Sequence, residues 1–190
     1  MASDLRPATD GTGPLLQRDY WAVFADGPTS PSELMTYVKS NFCALPPAAL
    51  VSFTAPDGVT LDAVLDIVIT PGQRCGVRVV HEDAQSVTLA TLTGHPEAGR
   101  ITFGSYGNAA GDLIFHIRSR ARSGTALQRL GFLAIGDAMQ TNTWADFIRN
   151  TAASVNARIA GIIHAETQAV EETIEDEEPL RCPTFLAVGD

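Results

Sequence analysis

His95-Pro96-Glu97 is the part of the chain whose residue types and spacing point most directly to chemistry. An imidazole and a carboxylate two residues apart on a tight link can act as a general acid–base pair at a cavity mouth. The same residues, set between Gly94 and Gly99, also suit a plain turn that His95 caps by hydrogen bonds. The sequence leaves both readings open. His81 continues the parity of Cys75, Val77 and Val79, so it is a third catalytic candidate or a hydrogen-bonded rim residue. Thr91, Thr93, Ser105 and Ser119 share inward parity with the apolar Phe103 and Phe115. They could give a largely apolar molecule a few polar contacts, or bond locally to backbone. Trp144 and Ile148 are the matching wall residues on a helix. Tyr20, Trp21 and Tyr37 read as aromatic anchors of the core. Asp137 and Gln140 stand where either could reach a cavity mouth or serve as a cap. His116, Arg118 and Arg120 take the opposite parity. They read as a solvated stripe paired across the sheet with Asp62 or Asp66, or as a carboxylate site if the following loop folds back.

These candidates need elements to hold them. Val59–Thr70, Cys75–Glu82, Val87–Thr91, Ile101–Ser105 and Asp112–Ala121 alternate apolar and polar residues, the signature of strands with one buried face. Short links such as Pro71-Gly72 and Asp83-Ala84 make them an antiparallel meander. Residues 18–26 form a first strand. Ser30-Pro31-Ser32-Glu33 then starts a helix: Ser30 caps it, Pro31 takes the first helical position and Glu33 completes a capping box. That helix ends near Phe42, before Pro46-Pro47. Residues 47–53 fit a short helix or an extended link. From Thr143 to Val170, apolar residues recur every three or four positions, which predicts one long amphipathic helix of roughly 40 Å. Its stripe includes Trp144, Ile148, Ala152, Val155, Ile159, Ile162, Ala165 and Ala169. The apolar stretch Thr125–Met139 is a lid or a connector. The expected fold class is α+β: a curved antiparallel sheet wrapped around a long C-terminal helix, with an internal cavity between them.

Composition narrows the partners. A length of 190 residues suits one domain, and 45% hydrophobic with 18% charged residues is a globular balance. The net charge of −9 disfavours nucleic acid and anionic membrane. No apolar run reaches the length of a bilayer span. Residues 1–14 read as a loose arm, 15–170 as the domain, and 171–190 as an acidic, solvated tail. Cys43, Cys75 and Cys182 form neither a metal motif nor a disulfide framework, which fits a reducing cytoplasm. His81, His95, His116 and His164 lack metal-ligand spacing. GxSxG, P-loop, Rossmann and HExxH patterns are all missing. The expectation is therefore no metal and no cofactor.

Thr91-Leu92-Thr93-Gly94-His95-Pro96-Glu97-Ala98-Gly99, followed by Phe103, resembles the "GTLxGHPxxGE…F" segment of the family called domain of unknown function nineteen-ninety. FHIRSRA from Phe115, followed by Gln140, is similar to its "I-x-x-[FH]-SRP…Q" segment, and WAVFADG resembles its opening. Thr91, Arg100 and Ala121 depart from the pattern. The resemblance implies the helix-grip fold of the birch-pollen-allergen-like, or START-like, superfamily. It implies no particular reaction. Taken together, the sequence leads to a bacterial-type protein that binds a small, largely apolar organic molecule. Either it acts on that molecule by acid–base cyclisation, isomerisation or dehydration, or it carries or senses it unchanged. A homodimer is compatible with this layout. A third reading makes the acidic tail a dock for a basic partner protein.

Overall fold

The computed structural model describes residues 4–108, 110–124 and 137–171. The strands are β1 (Thr12–Ala25), β2 (Val51–Thr54), β3 (Val64–Ile69), β4 (Gln73–Glu82), β5 (Ser86–Thr91), β6 (Glu97–Gly107), β7 (Leu113–Ser123) and β8 (Arg158–Val170). The helices are α1 (Pro31–Asn41) and α2 (Asp137–Ser154). All strands pair antiparallel in one sheet of order β2-β3-β4-β5-β6-β7-β1-β8. The meander expected from alternation is β3 to β7, and the 47–53 link contributes the edge strand β2.

α1 begins as its sequence dictates. The Ser30 Oγ accepts from the Glu33 backbone N–H at 3.2 Å, and Pro31 occupies the first turn. Its buried face is Leu34, Met35 and Val38. These pack with Phe42, Phe53, Phe103, Phe115, Phe147 and Ile148 into one core between the helices and the inner face of the sheet. Phe103, Phe115, Ser105 and Ile148 are fully buried there or nearly so.

Four expectations need correction. The helix predicted for Thr143–Val170 ends at Ser154. The Ala157 N–H donates to the Ala152 carbonyl at 2.9 Å and the Asn156 N–H to the Ala153 carbonyl at 3.3 Å, with Asn156 at φ +55°. That is a Schellman stop with asparagine in the left-handed position. The chain then reverses as β8 and pairs along β1, leaving Ile162 on the surface, 66% exposed. Second, the N-terminal arm is docked from residue 4. Leu5 bridges to Leu92, the Arg6 N–H donates to the Thr91 carbonyl at 2.7 Å, and β1 already starts at Thr12. Backbone groups at the end of β5 obtain partners this way. Third, Leu61 turns outward, 57% exposed, because the chain bends at Asp62 (φ +68°) before β3 begins. Fourth, the outward stripe of β7 is not solvated. His116 and Arg118 are buried and bonded to Asp19 of β1, and the Arg120 Nε donates to the Gln17 Oε1 at 2.8 Å. Of the Thr125–Met139 lid or connector, residues 125–136 lie outside the described residues and the rest open α2, and the acidic tail lies outside them from 172.

Candidate functional site

At one end of the inner face lies a pocket of about 340 Å³. The far ends of β3, β5 and β7 meet there with the first residues of β4 and β6 and the first turns of α2. Most of the wall is apolar: Val51, Phe53, Ile67, Ile69, Val77, Leu89, Ile101, Ala121, Met139 and Trp144 all contribute. The polar groups of the lining are Thr70, Gln73, Thr91, His95, Glu97, Arg100 and Ser119 from the sheet and its turns, with Gln140 and Thr143 from the helix.

Glu97 is the first residue of β6 and points inward, 8% exposed. The Arg18 guanidinium approaches its Oε1 at 3.3 Å, and the Gln140 amide donates to its Oε2 at 2.5 Å. Arg18 shares the inward parity of Tyr20, Ala22 and Phe24, and is itself only 1% exposed. A carboxylate so placed is bonded on both oxygens and balanced by one buried cation, the condition under which ionised groups persist in an interior. Gly99 makes the entry into β6 possible. Its φ is +152°, and a Cβ there would lie 2.1 Å from the Arg120 carbonyl oxygen.

His95 precedes this strand in the turn. Its Nδ1 lies 3.0 Å from the Glu97 backbone nitrogen and 3.1 Å from the Glu97 carbonyl oxygen, so the turn holds the ring by this edge whichever nitrogen carries the proton. The Arg6 guanidinium ties the turn from outside by donating to the His95 carbonyl at 2.6 Å and to the Gly124 carbonyl at 2.5 Å. Burial pushes the His95 imidazole down to about 4; the Glu97 backbone contact opposes this and the Arg6 charge adds to it. His95 is therefore neutral near pH 7. The sign of its effect on stability follows. Between about pH 6.5 and 4 the unfolded chain takes up a proton that the folded chain refuses, so stability falls as pH falls. The expected loss is up to about 3 kcal/mol. Urea midpoints at pH 7, 5.5 and 4 measure it, and His95→Asn should flatten the profile across that window.

The structure separates the other candidates. Ser119 and Trp144 join His95 and Glu97 at the pocket. Thr91 also lines it, but its hydroxyl is engaged with the Arg6 and Gly99 carbonyls and the Gly99 N–H. Thr93 is exposed and bonds to the Asp4 carbonyl. His81 is at the opposite end of β4, where a register shift between Val79 and His81 breaks the parity; it meets Asp83 at 3.1 Å. Phe103, Ser105, Phe115 and Ile148 sit deeper along their elements, in the core and away from the pocket wall. Arg18 was missing from the sequence reading. Its signal was a cation on the apolar face of an otherwise buried strand. Among the described residues, no three His, Cys, Asp or Glu side chains are grouped as metal ligands would be. No described helix is long and apolar enough to cross a membrane.

No protein-family model and no curated protein matches the sequence. Solved structures do match. Norcoclaurine synthase from Thalictrum flavum, in complex with dopamine and hydroxybenzaldehyde, aligns over 77% of this chain and 93% of its own, at 10% identity and a TM-score of 0.54. The fold is the helix-grip fold. Protein Ms6760 from Mycobacterium smegmatis shares it at 12% identity and a TM-score of 0.50, over 81% of this chain and 97% of that one. So does the di-domain ARO/CYC StfQ from the steffimycin biosynthetic pathway, at 12% identity and 0.50, over 78% of this chain and 52% of that one. At these identities the likeness speaks for the helix-grip fold alone. The chain keeps the curved sheet and the helix across it, and β8 continues the sheet beyond β1.

Proposed function

We propose that this protein takes one small, largely apolar organic molecule into the pocket and acts on it by proton transfer, without a cofactor. Cyclisation, isomerisation and dehydration are the reactions that fit. The observation that carries the reading is the Glu97 carboxylate. It is fixed by Arg18 and Gln140 in the wall of an otherwise apolar pocket. Such a group can remove a proton from a substrate carbon or hydroxyl and return it elsewhere, while the walls hold the substrate in a reactive shape. His95, held neutral by burial, offers its Nε2 as a hydrogen-bonding partner for a substrate hydroxyl, as donor or acceptor according to its tautomer. Norcoclaurine synthase, a structural neighbour solved with dopamine and hydroxybenzaldehyde, supports the binding half of this reading. The GHPE run adds a second inference, kinship with domain of unknown function nineteen-ninety. The second functional reading is a carrier. It is favoured by the depressed His95, which does not gain and lose a proton near pH 7 as a general acid–base group would.

The test is native mass spectrometry of the protein after incubation with extract from its producing organism, paired with analysis of the free extract. The expected result is a retained small molecule and conversion of that compound. Glu97→Gln should retain the mass and slow the conversion by about a hundredfold or more. Retention with no conversion by either form supports the carrier. No retention and no conversion overturns both.

A further inference from the structure

Three residues of the pocket wall each hold a buried polar atom without a hydrogen-bond partner: the Ser119 Oγ, the Gln140 Oε1 and the Trp144 Nε1. A buried polar group in a folded protein normally has a partner, so three on one wall call for a cause. Gln140 and Trp144 are four residues apart on α2 and so share a face. Ser119 projects from the inner face of β7. The Gln140 amide is oriented by Glu97, because a carboxylate accepts and the amide must present its NH2 there. Its carbonyl oxygen is thus left as an acceptor. The indole N–H of Trp144 can only donate, and the Ser119 hydroxyl can do either. A group that both accepts and donates, as a hydroxyl does, satisfies this set.

We infer that Ser119, Gln140 and Trp144 form a hydroxyl-binding site, and that the ligand is an uncharged molecule carrying a hydroxyl group on an apolar body. This rests on the pocket reading proposed above and adds the ligand's polarity to it. The ligand oxygen accepts from the Trp144 N–H and donates to the Gln140 carbonyl, with Ser119 as the third contact. A ligand carboxylate at this position would have no proton for the Gln140 carbonyl and would lie beside the Glu97 that Gln140 holds, although Arg100 also lines the pocket.

The test uses four probes on one ring system: naphthalene, 2-methoxynaphthalene, 2-naphthol and 2-naphthoate, with affinities from isothermal titration calorimetry. The expected order puts 2-naphthol at least about fivefold ahead of naphthalene and of the methoxy compound, which accepts but cannot donate, with 2-naphthoate weakest. Ser119→Ala and Trp144→Phe should erase the advantage of 2-naphthol over naphthalene, read as the ratio of the two affinities within each variant. A second readout is the melting temperature of ligand-free Ser119→Ala. Removing a buried hydroxyl that has no partner should leave it unchanged or raise it, whereas a structural role for that hydroxyl would lower it. Equal binding of 2-naphthol and 2-methoxynaphthalene, preferred binding of 2-naphthoate, or a naphthol preference that survives both substitutions would overturn the inference while leaving the pocket reading intact. Failure of all four probes to bind would overturn both.

Discussion

Asp19→Ala should destabilise the protein by about 3 kcal/mol or more, measured as the shift in the urea unfolding midpoint at pH 7. Asp19 lies on β1, opposite Arg118 of β7, on the outer face of the sheet. Its Oδ1 accepts from the His116 Nε2 at 2.8 Å and the Arg118 Nε at 2.6 Å, and its Oδ2 from the Gln17 Nε2 at 2.8 Å. All four residues are buried. Alanine takes away the acceptor that three buried donors share and the carboxylate that offsets the Arg118 charge, which is the costly way to break a buried ion pair. Asp19→Asn isolates the charge. It keeps an oxygen for His116 and Arg118 but turns an NH2 toward the Gln17 amide, so a smaller loss is expected. Burial acts to raise the Asp19 carboxyl, but the hydrogen bonds from His116, Arg118 and Gln17, with the Arg118 charge, hold it at about 2. An unfolded aspartate titrates near 4, so the folded chain should lose about 2 kcal/mol as pH falls from about 4 to 2. Asp19→Asn should lack that acid step. The window lies below the one assigned to His95, so one pH series separates the two groups.

The same network shows why part of this structure was legible in the sequence and part was not. Alternation places Leu65, Ile67, Val77, Val79, Leu89, Phe103 and Phe115 inward because a pleated strand offers only two faces. Ser30, Pro31 and Glu33 mark the start of α1 because the unpaired N–H groups of a helix start select those residues. Both signals are local. The pairing of β1 with β7 and β8 is not local, and nothing in RDYWAVFAD states that Asp19 will face Arg118 on one side and Glu166 on the other. The stripe on Arg118 therefore read as solvated. The Thr143–Val170 error has a different origin. Ile159, Ile162 and Ile163 fit a helical stripe, but three β-branched residues and Gly161 in five positions fit a strand as well, and Asn156 was an available stop signal. At the site, the turn around His95 and Glu97 could be read from its glycines and proline. What fixes the carboxylate could not, because Arg18 lies 79 residues away along the chain and Gln140 lies 43 away.

Phe147→Ala should cost about 3–5 kcal/mol in thermal or urea unfolding, the range for removing a fully buried phenylalanine. Phe147 is inaccessible to solvent and is where α2 meets the rest of the core. Its ring centroid lies 5.2 Å from that of Phe103, 5.4 Å from Phe42, 6.1 Å from Trp144 and 6.2 Å from Phe115. These neighbours come from β6, the turn after α1, α2 itself and β7, so truncation removes a contact from each side of the core at once. The consequence should reach the pocket. Trp144 rests on Phe103 at 5.5 Å and on Phe147, and it is the aromatic side chain of the pocket wall on the helix. Without Phe147 the Trp144 ring has space to tilt into the core, and its indole N–H then leaves the position proposed for the ligand hydroxyl. The expected pattern is a loss of 2-naphthol affinity that exceeds the loss for naphthalene, in a protein that remains folded at low temperature. Phe147→Leu, which keeps much of the volume, should recover most of the stability. If Phe147→Ala weakens both probes equally, α2 positions the pocket as a rigid body and the packing of Trp144 carries no specificity of its own.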